Sequence, residues 1–341
     1  MKGFEKRMNW DMVLQIFLLV VGFVLLIKGA DWFVDGAAGI ADKMHIPQLI
    51  IGLTIVAMGT SAPEAAISIS ASIQGNADIA IGNVVGSNIL NVLIILGITS
   101  IITPLAVQKS TIKYEIPFVI IVTIILGLLG LFDNTVGLLD GILLWILFIA
   151  YLAYLLIMTK KGRVQADESE KIEEAAKNTE DNENKRPKKT WQLILLVIVG
   201  IVLVVLGSNI TVDAATKIAT MFGISERFIG LTIVALGTSL PELVTSITAA
   251  IKKNADIAIG NIVGSNLFNI LFVIGTSALI TPVAYQSEFL IDSIICVVIL
   301  ILLLLFVLNK DKQLKRWAGV IMLLCYAGYF VYLIHVNLIL K

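Results

Sequence analysis

The sequence has few of the residues that usually carry catalysis in soluble proteins. Only 15% of its 341 residues are charged, and it contains two cysteines and two histidines. Cys296 and Cys325 lie in apolar runs without the spacing of metal ligands, so we expect both to serve packing. His45 and His335 have no matching partner. The formal net charge is zero, which gives no indication of a nucleic-acid partner.

The sequence is instead rich in long runs of apolar residues. Hydrophobic residues make up 58% of the chain, more than a soluble protein of this size could hide in one core. The charges are segregated, which leaves apolar runs of about 20 residues or more, enough to cross a bilayer. The runs fall near 11–42, 46–73, 78–103, 114–132 and 136–158 in the first half, and near 190–220, 227–251, 256–281, 287–308 and 314–338 in the second. We therefore predict an all-α polytopic membrane protein with about ten transmembrane helices.

One hydrophilic stretch separates the two halves. Residues 160–189 contain nine Lys or Arg and eight Asp or Glu, with no apolar periodicity sufficient for a folded domain. The predicted organisation is a first five-helix repeat over 1–158, a charged flexible linker over 159–189, and a second five-helix repeat over 190–341.

The two halves share a nearly identical segment. Residues 52–105 and 230–283 are offset by 178 positions and are identical at 33 of 54 pairs. Five spans per repeat is an odd number, so the second repeat is expected to enter the membrane in the opposite sense. Lysine and arginine are more abundant in the loops on the linker side, which predicts a cytoplasmic linker and two extracellular termini in the cell membrane.

The segment at 52–64 carries the chemistry. Thr60, Ser61 and Glu64 share one helical face, and Pro63 cannot donate a hydrogen bond to the carbonyl of Gly59, so we expect a break in the helix. A carboxylate inside an apolar helix costs several kcal/mol unless it has a partner or a cation. The same arrangement recurs at Thr238, Ser239 and Glu242.

The following span adds oxygen donors. Ser87 and Asn91 are four residues apart, as are Ser265 and Asn269. Carboxylate, hydroxyl, amide and carbonyl oxygens suit Ca²⁺ and other hard cations. Taken singly, these serines and asparagines also fit helix–helix packing. Their duplication together with a glutamate favours a cation site between the repeats.

These motifs resemble a known family. The segments 59–64 and 82–88, with their copies at 237–242 and 260–266, are similar to the two alpha-repeats of the cation/calcium exchanger superfamily, nearest to the prokaryotic sodium/calcium exchangers. The resemblance implies a Na⁺/Ca²⁺ antiporter that works by alternating access, with no cofactor and with Na⁺ and Ca²⁺ as bound, transported ions. The metal ligands that it implies are Ala57, Thr60, Ser61, Glu64, Ser87, Asn91, Ala235, Thr238, Ser239, Glu242, Ser265 and Asn269, the two alanines through their backbone carbonyls.

The chain departs from this family at one position and leaves alternatives open. Asn269 stands where relatives often carry Asp, which weakens the case for K⁺ co-transport. A Ca²⁺/H⁺ or other divalent-cation antiporter is the main alternative, and a cation channel is a second. An intramembrane hydrolase is disfavoured because no nucleophile–base pair accompanies Glu64 and Glu242. Membrane lipids are expected as surroundings, with no obligate protein partner and no nucleic acid.

Overall fold

The structure is a computed structural model that describes residues 2–74, 78–176, 189–222, 235–285 and 287–339. Helices account for nearly all of the described chain. Those of the first half are α1 (Lys2–Lys43), α2 (Gln48–Thr60), α3 (Ala62–Ile73), α4 (78–102), α5 (111–133) and α6 (Leu138–Ala176). Those of the second half are α7 (Thr190–Met221), α8 (Ala235–Thr238), α9 (Leu240–Ile251), α10 (Ala255–Ile280), α11 (Ser287–Val307) and α12 (Arg316–Ile339).

The helices are those of a multi-pass membrane protein. In the described part of the chain, 8 helices are long and apolar enough to cross a bilayer, and the bent pair α2–α3 makes a further candidate span. The predicted spans match these helices closely in position. The predicted seventh span at 227–251 lies partly outside the described residues, so the total of ten remains a prediction.

Two helices form the centre of the bundle. In the most apolar stretch of α10, 94% of the residues are buried, and the value for α4 is 72%. The corresponding values for α1 and α12 are only 22% and 17%, because these helices present apolar side chains such as Phe17 and Leu324 at the surface. The repeated sequence segments therefore lie inside, and the outer helices cover them.

Helices α1 and α7 cross at very short range. A Cβ atom added to Gly29 would come within 2.7 Å of the backbone nitrogen of Val204, and one added to Gly200 would come within 2.6 Å of that of Phe33. Only glycine fits such contacts, and small residues commonly let membrane helices approach in this way. This crossing makes α1 and α7 a closely packed pair that joins the two halves of the chain.

Four two-residue strands lie in the loops of the described part of the chain, and each strand pair joins one half to the other. The strands are β1 (Leu105–Ala106), β2 (Thr135–Val136), β3 (Val283–Ala284) and β4 (Gln313–Leu314), and β1 pairs with β4 while β2 pairs with β3, both antiparallel. The 178-residue offset relates β1 to β3 and β2 to β4. The pair β1–β4 and the pair β2–β3 are therefore equivalent under the 178-residue offset that relates the two halves.

The predicted linker is partly helical. Helix α6 continues through Ala176, well past Lys160, so the first part of the predicted linker is helical. The linker boundaries and the flexibility of this segment stay a prediction. Residues such as Glu168, Glu170 and Lys171 have sufficient helix propensity to extend the preceding helix. Residues 177–188 lie outside the described residues.

Candidate cation site

The second span is interrupted at the duplicated motif. Helices α2 and α3 are bent by 51° at Ser61, whose φ and ψ of −81° and 7° are not helical. Pro63 stands in the first turn of α3, where its missing N–H costs nothing. Ser239 adopts nearly the same angles, −92° and 7°, between α8 and α9. The break expected from the sequence is present in both copies.

The two breaks bring the two glutamates together. Glu64 and Glu242 are both completely buried. The Ser61 hydroxyl donates to Oε1 of Glu242 at 2.8 Å, and the Ser239 hydroxyl donates to Oε1 of Glu64 at 3.2 Å. Each repeat thus supplies the serine that binds the other repeat's carboxylate. Oε2 of each glutamate has no hydrogen-bond partner among the described residues.

A second reciprocal set of bonds joins α4 to α10. The Asn88 side-chain amide donates to the backbone carbonyl of Asn266 at 3.2 Å, and the Asn266 amide donates to that of Asn88 at 3.3 Å. Asn91 donates to Oδ1 of Asn266 at 3.0 Å, and Asn269 donates to Oδ1 of Asn88 at 3.2 Å. The Oδ1 atoms of Asn91 and Asn269 are buried and have no hydrogen-bond partner among the described residues.

Two further asparagines support the helices that carry the glutamates. Asn83 donates to the backbone carbonyl of Glu64 at 3.3 Å and to the Ser68 hydroxyl at 2.9 Å. Asn261 makes the equivalent contacts with Glu242 and Ser246, at 3.4 and 2.9 Å. Asn83, Asn88, Asn261 and Asn266 are not among the ligands predicted from the sequence, although Asn83 and Asn88 recur as Asn261 and Asn266 at the 178-residue offset.

The other predicted ligands lie around this centre. Thr60 is buried and donates to Oδ1 of Asn261 at 3.0 Å. The Ser265 hydroxyl reaches the carbonyl of Ala57 at 3.5 Å. Ser87 is buried on α4, and Thr238 is half-buried at the end of α8. Ala235 begins α8, but its side chain is outside the described part.

Both inner helices widen at the central asparagines. A π-helical segment begins at Asn91 in α4 and another begins at Asn269 in α10. Such wide turns are rare and frequently occur at functional sites. In both helices the regular α-helical hydrogen-bond pattern is interrupted from Asn91 or Asn269 onward, which are the residues whose Oδ1 atoms have no described partner.

A charged bridge joins α1 to the end of α9. The Lys252 ammonium lies 2.6 Å from a carboxylate oxygen of Asp31 and 2.6 Å from one of Asp35. Burial disfavours the charge of Lys252, but its hydrogen bonds to the two aspartates outweigh this effect and raise its pKa. The stabilisation is therefore complete below the ordinary lysine pKa and is lost only as the pH rises through the raised value.

The centre has the properties of a hard-cation site. Four of the buried oxygens that lack a hydrogen-bond partner in the described structure belong to residues of this centre, namely Glu64, Glu242, Asn91 and Asn269. Leaving one such group unsatisfied costs about 1–3 kcal/mol, and more for a charged group. Carboxylate and amide oxygens such as these are the ligands that a hard cation prefers. Buried in a helical membrane bundle, this set defines a cation-transport protein.

Comparison with known proteins identifies the family. The model of the sodium/calcium exchanger protein family matches residues 14–157 and again 192–335. The sodium/calcium exchanger MaX1 of Methanosarcina acetivorans is 31% identical over 344 residues, which cover 94% of this chain and 98% of that protein. The inner membrane protein YrbG of Escherichia coli K12 is 35% identical over 327 residues, covering 94% of this chain and 96% of that protein.

A solved structure agrees with these sequence matches. The sodium-calcium exchanger NCX_Mj soaked with 2.5 mM Na⁺ and 10 mM Sr²⁺ is 32% identical and gives a TM-score of 0.78, covering 94% of this chain and 99% of that one. The chain belongs to the sodium/calcium exchanger family. It is accordingly a transmembrane cation exchanger rather than an enzyme.

Proposed function

We propose that the protein exchanges Na⁺ for Ca²⁺ across the cell membrane by alternating access, with net movement of charge. The observation that carries the proposal is the pair Glu64 and Glu242, each bonded to the opposite repeat's serine and each retaining one unpartnered oxygen. The ligands we propose are the twelve residues predicted from the sequence, with the four unpartnered oxygens at the centre.

The proposed architecture is ten spans in two five-helix repeats of opposite orientation, with the termini outside and the linker inside. Three observations support the repeats: the family model matches twice at the 178-residue offset, the strand pairs exchange, and the serine–glutamate bonds are reciprocal. In many transporters, repeats of this kind hold ion sites at their interface, close to the bilayer midplane.

The charge of the site explains how the two ions would be coupled. Without an ion the two carboxylates would carry about two negative charges away from water, and moving that charge past an apolar barrier is costly. One Ca²⁺ cancels the charge, and several Na⁺ ions can do so with the hydroxyl and amide oxygens as additional ligands. Only the loaded protein would then change its accessible side, which ties the movement of one ion to that of the other.

Sodium rather than protons is the proposed coupling ion. The Ser61 hydroxyl donates to Glu242, and the Thr60 hydroxyl donates to Asn261, whose amide in turn bonds the backbone carbonyl of Glu242. Such neutral oxygens are ligands for an additional alkali cation but are not needed for proton transfer. The competing function is Ca²⁺/H⁺ antiport, in which the two glutamates would carry protons instead.

The test is ⁴⁵Ca²⁺ flux into proteoliposomes under separately imposed Na⁺, K⁺ and H⁺ gradients. Outward Na⁺ gradients should drive Ca²⁺ uptake, replacing Na⁺ with choline should abolish it, and a membrane potential should change its rate. Uptake driven by a proton gradient in choline would establish the competing function. Uptake without any counter-ion would indicate a channel.

Acid should inhibit transport by competition. A proton and a cation need the same carboxylate oxygens of Glu64 and Glu242, so lowering the pH from about 8 to about 5 should slow Na⁺-driven uptake severalfold. Raising the Ca²⁺ concentration should restore the rate, because the inhibition is competitive. A flat profile over this range would contradict the assignment of the glutamates as ligands.

Substituting Asn269 by aspartate should make transport more sensitive to pH. Asn269 donates to Oδ1 of Asn88, so an ionised carboxylate there would place two acceptors face to face, and only its protonated form can keep the bond. We expect Asn269→Asp to transport at the wild-type rate at mildly acidic pH and about tenfold more slowly than the wild type at alkaline pH. Asn91→Asp, the equivalent change in the other repeat, should show the same pH dependence as Asn269→Asp. If both variants have the pH profile of the wild type, the proposed role of the hydrogen bonds donated by Asn91 and Asn269 is contradicted.

A further inference from the structure

A second buried carboxylate lies outside the cation site. Glu115 stands at the end of a π-helical turn in the first part of α5 and is 1% exposed. Its Oε1 accepts a hydrogen bond from the Tyr154 hydroxyl of α6. Its Oε2 is buried and has no partner among the described residues. A buried carboxylate whose hydrogen-bond partners are all neutral is costly, and a cationic group would offset that cost.

A cavity is present beside this carboxylate. Its volume is about 390 Å³, which falls in the usual range for small-ligand sites, roughly 300–1,000 Å³. Glu115 and Tyr154 supply polar groups, while Phe118, Ile121, Leu147 and Tyr151 supply apolar walls. Ile121 is 53% exposed, so the cavity opens sideways from the bundle, where the lipid lies.

A basic residue stands at the same cavity. Lys113 lines it, and its ammonium lies 5.2 Å from the centre of the Tyr114 ring, which is itself half exposed. Both residues belong to the first turn of the span that begins at Thr111, and Tyr154 lies six positions before Lys160, at the end of the span in α6. Tyrosine and lysine at span ends mark the level of the lipid headgroups.

We propose that this cavity binds the headgroup of an aminophospholipid, with the ammonium at Glu115 and Tyr154, the phosphate at Lys113 and the acyl chains along the exposed apolar wall. The occupant follows from charge complementarity. A deep carboxylate, a basic residue at the outer end and an apolar lateral opening match, in that order, the ammonium, phosphate and hydrocarbon of such a lipid. Its N–H groups would donate to Oε2 of Glu115, which has no described donor.

The hydrogen bond distinguishes ethanolamine from choline headgroups. A primary ammonium has three N–H donors and can bond to Glu115, whereas a trimethylated ammonium has none and is too bulky to approach the carboxylate closely. Both headgroups carry the same phosphate and can bind Lys113 equally well. The site should therefore prefer phosphatidylethanolamine because of Glu115, whereas its affinity for any phospholipid should depend on Lys113.

The experiment counts retained lipids by native mass spectrometry. The full-length protein is exchanged into mixed micelles that contain equal amounts of dioleoylphosphatidylethanolamine and dioleoylphosphatidylcholine. The wild type should retain the ethanolamine lipid about tenfold more than the choline lipid. Glu115→Gln should bring this ratio close to one. Lys113→Met should lower the retention of both lipids without changing their ratio.

Asp292→Asn is the matched control. Asp292 also lies within a predicted span and accepts a hydrogen bond from a tyrosine, Tyr329, at 3.0 Å, but it does not line this cavity. Its substitution should leave the lipid ratio unchanged. If Glu115→Gln fails to fold, as judged by gel filtration, Tyr154→Phe carries the same test, because it removes the other polar group that faces the ammonium.

Three results would overturn the proposal. They are equal retention of the two lipids by the wild type, an undiminished preference in both Glu115→Gln and Tyr154→Phe, and loss of the preference in Asp292→Asn. Soluble phosphoethanolamine is expected not to displace the lipid at comparable concentration. Displacement would show that the ligand is a free metabolite rather than a lipid. Because the readout is lipid retention, none of these outcomes depends on which ions the protein exchanges.

Discussion

Glu64→Gln and Glu242→Gln are each expected to reduce Na⁺-driven ⁴⁵Ca²⁺ uptake to background, at least about 100-fold below wild type. Each substitution retains the acceptor for the serine of the opposite repeat, so the fold should persist. Each removes one of the two negative charges that a divalent ion needs for neutralisation. Flux measurements in proteoliposomes, with equal amounts of reconstituted protein, provide the comparison.

Glu115→Gln is the appropriate control for both variants. It also neutralises a fully buried glutamate within a span, but Glu115 lies on α5 and contacts Tyr154 instead of the site. Uptake by this variant should stay within about twofold of wild type, a difference well under 1 kcal/mol. Undiminished transport by either site variant would refute the assignment of the paired glutamates as ligands.

Gly264→Val should have the second large effect, on both stability and transport. A Cβ at Gly264 would lie 2.7 Å from the Cβ of Ala57 and 2.8 Å from the Cα of Leu53, so α2 would have to move away from α10. Overpacking of this kind costs about 1–3 kcal/mol or more. It would also displace the Ala57 carbonyl from the Ser265 hydroxyl. We expect a lower thermal unfolding midpoint and a loss of most uptake.

Gly328→Val tests whether the damage is specific to this contact. Gly328 lies on α12 and has no atom within 4 Å of an added Cβ in the described structure. This substitution should be tolerated in both assays, apart from the small change in helix propensity. Equal loss of stability in both variants would contradict this explanation, because it would show that Gly264 is not required for the close contact between α2 and α10.

Much of the site could be predicted because its local causes are visible in the sequence. Pro63 cannot complete the hydrogen-bond pattern of a helix, and the structure breaks at the preceding Ser61. Span positions follow from apolar length, which the bilayer thickness sets. The pairing of Glu64 with Glu242 was inferred from duplication, and the reciprocal serine bonds agree with it.

Other features have no local cause in the sequence. The residues after Asn91 and Asn269 are ordinary aliphatic and aromatic ones, and the wide turns lie where α4 and α10 are in contact. The bonds of Asn88 and Asn266 likewise join residues 178 positions apart. Glu115 was overlooked because its partner Tyr154 lies on the next helix and its nearest acidic neighbours are remote in the sequence.

Under the proposed alternating access, the bridge made by Lys252 affects the relative energy of the inward-facing and outward-facing states. Gln74 stands at the position equivalent to Lys252, and Asn209 stands at the position equivalent to Asp31. The other end of the molecule therefore keeps only Asp213, the equivalent of Asp35, and has no lysine at the position where the bridge would form. Two equal halves pointing in opposite directions would make the inward and outward forms degenerate. Because the salt bridge of Lys252 is present at one end only, it makes the energies of the two forms unequal, and the ion-free protein should prefer one of them. The Ca²⁺ concentration that half-saturates transport should therefore differ between the two sides of the membrane.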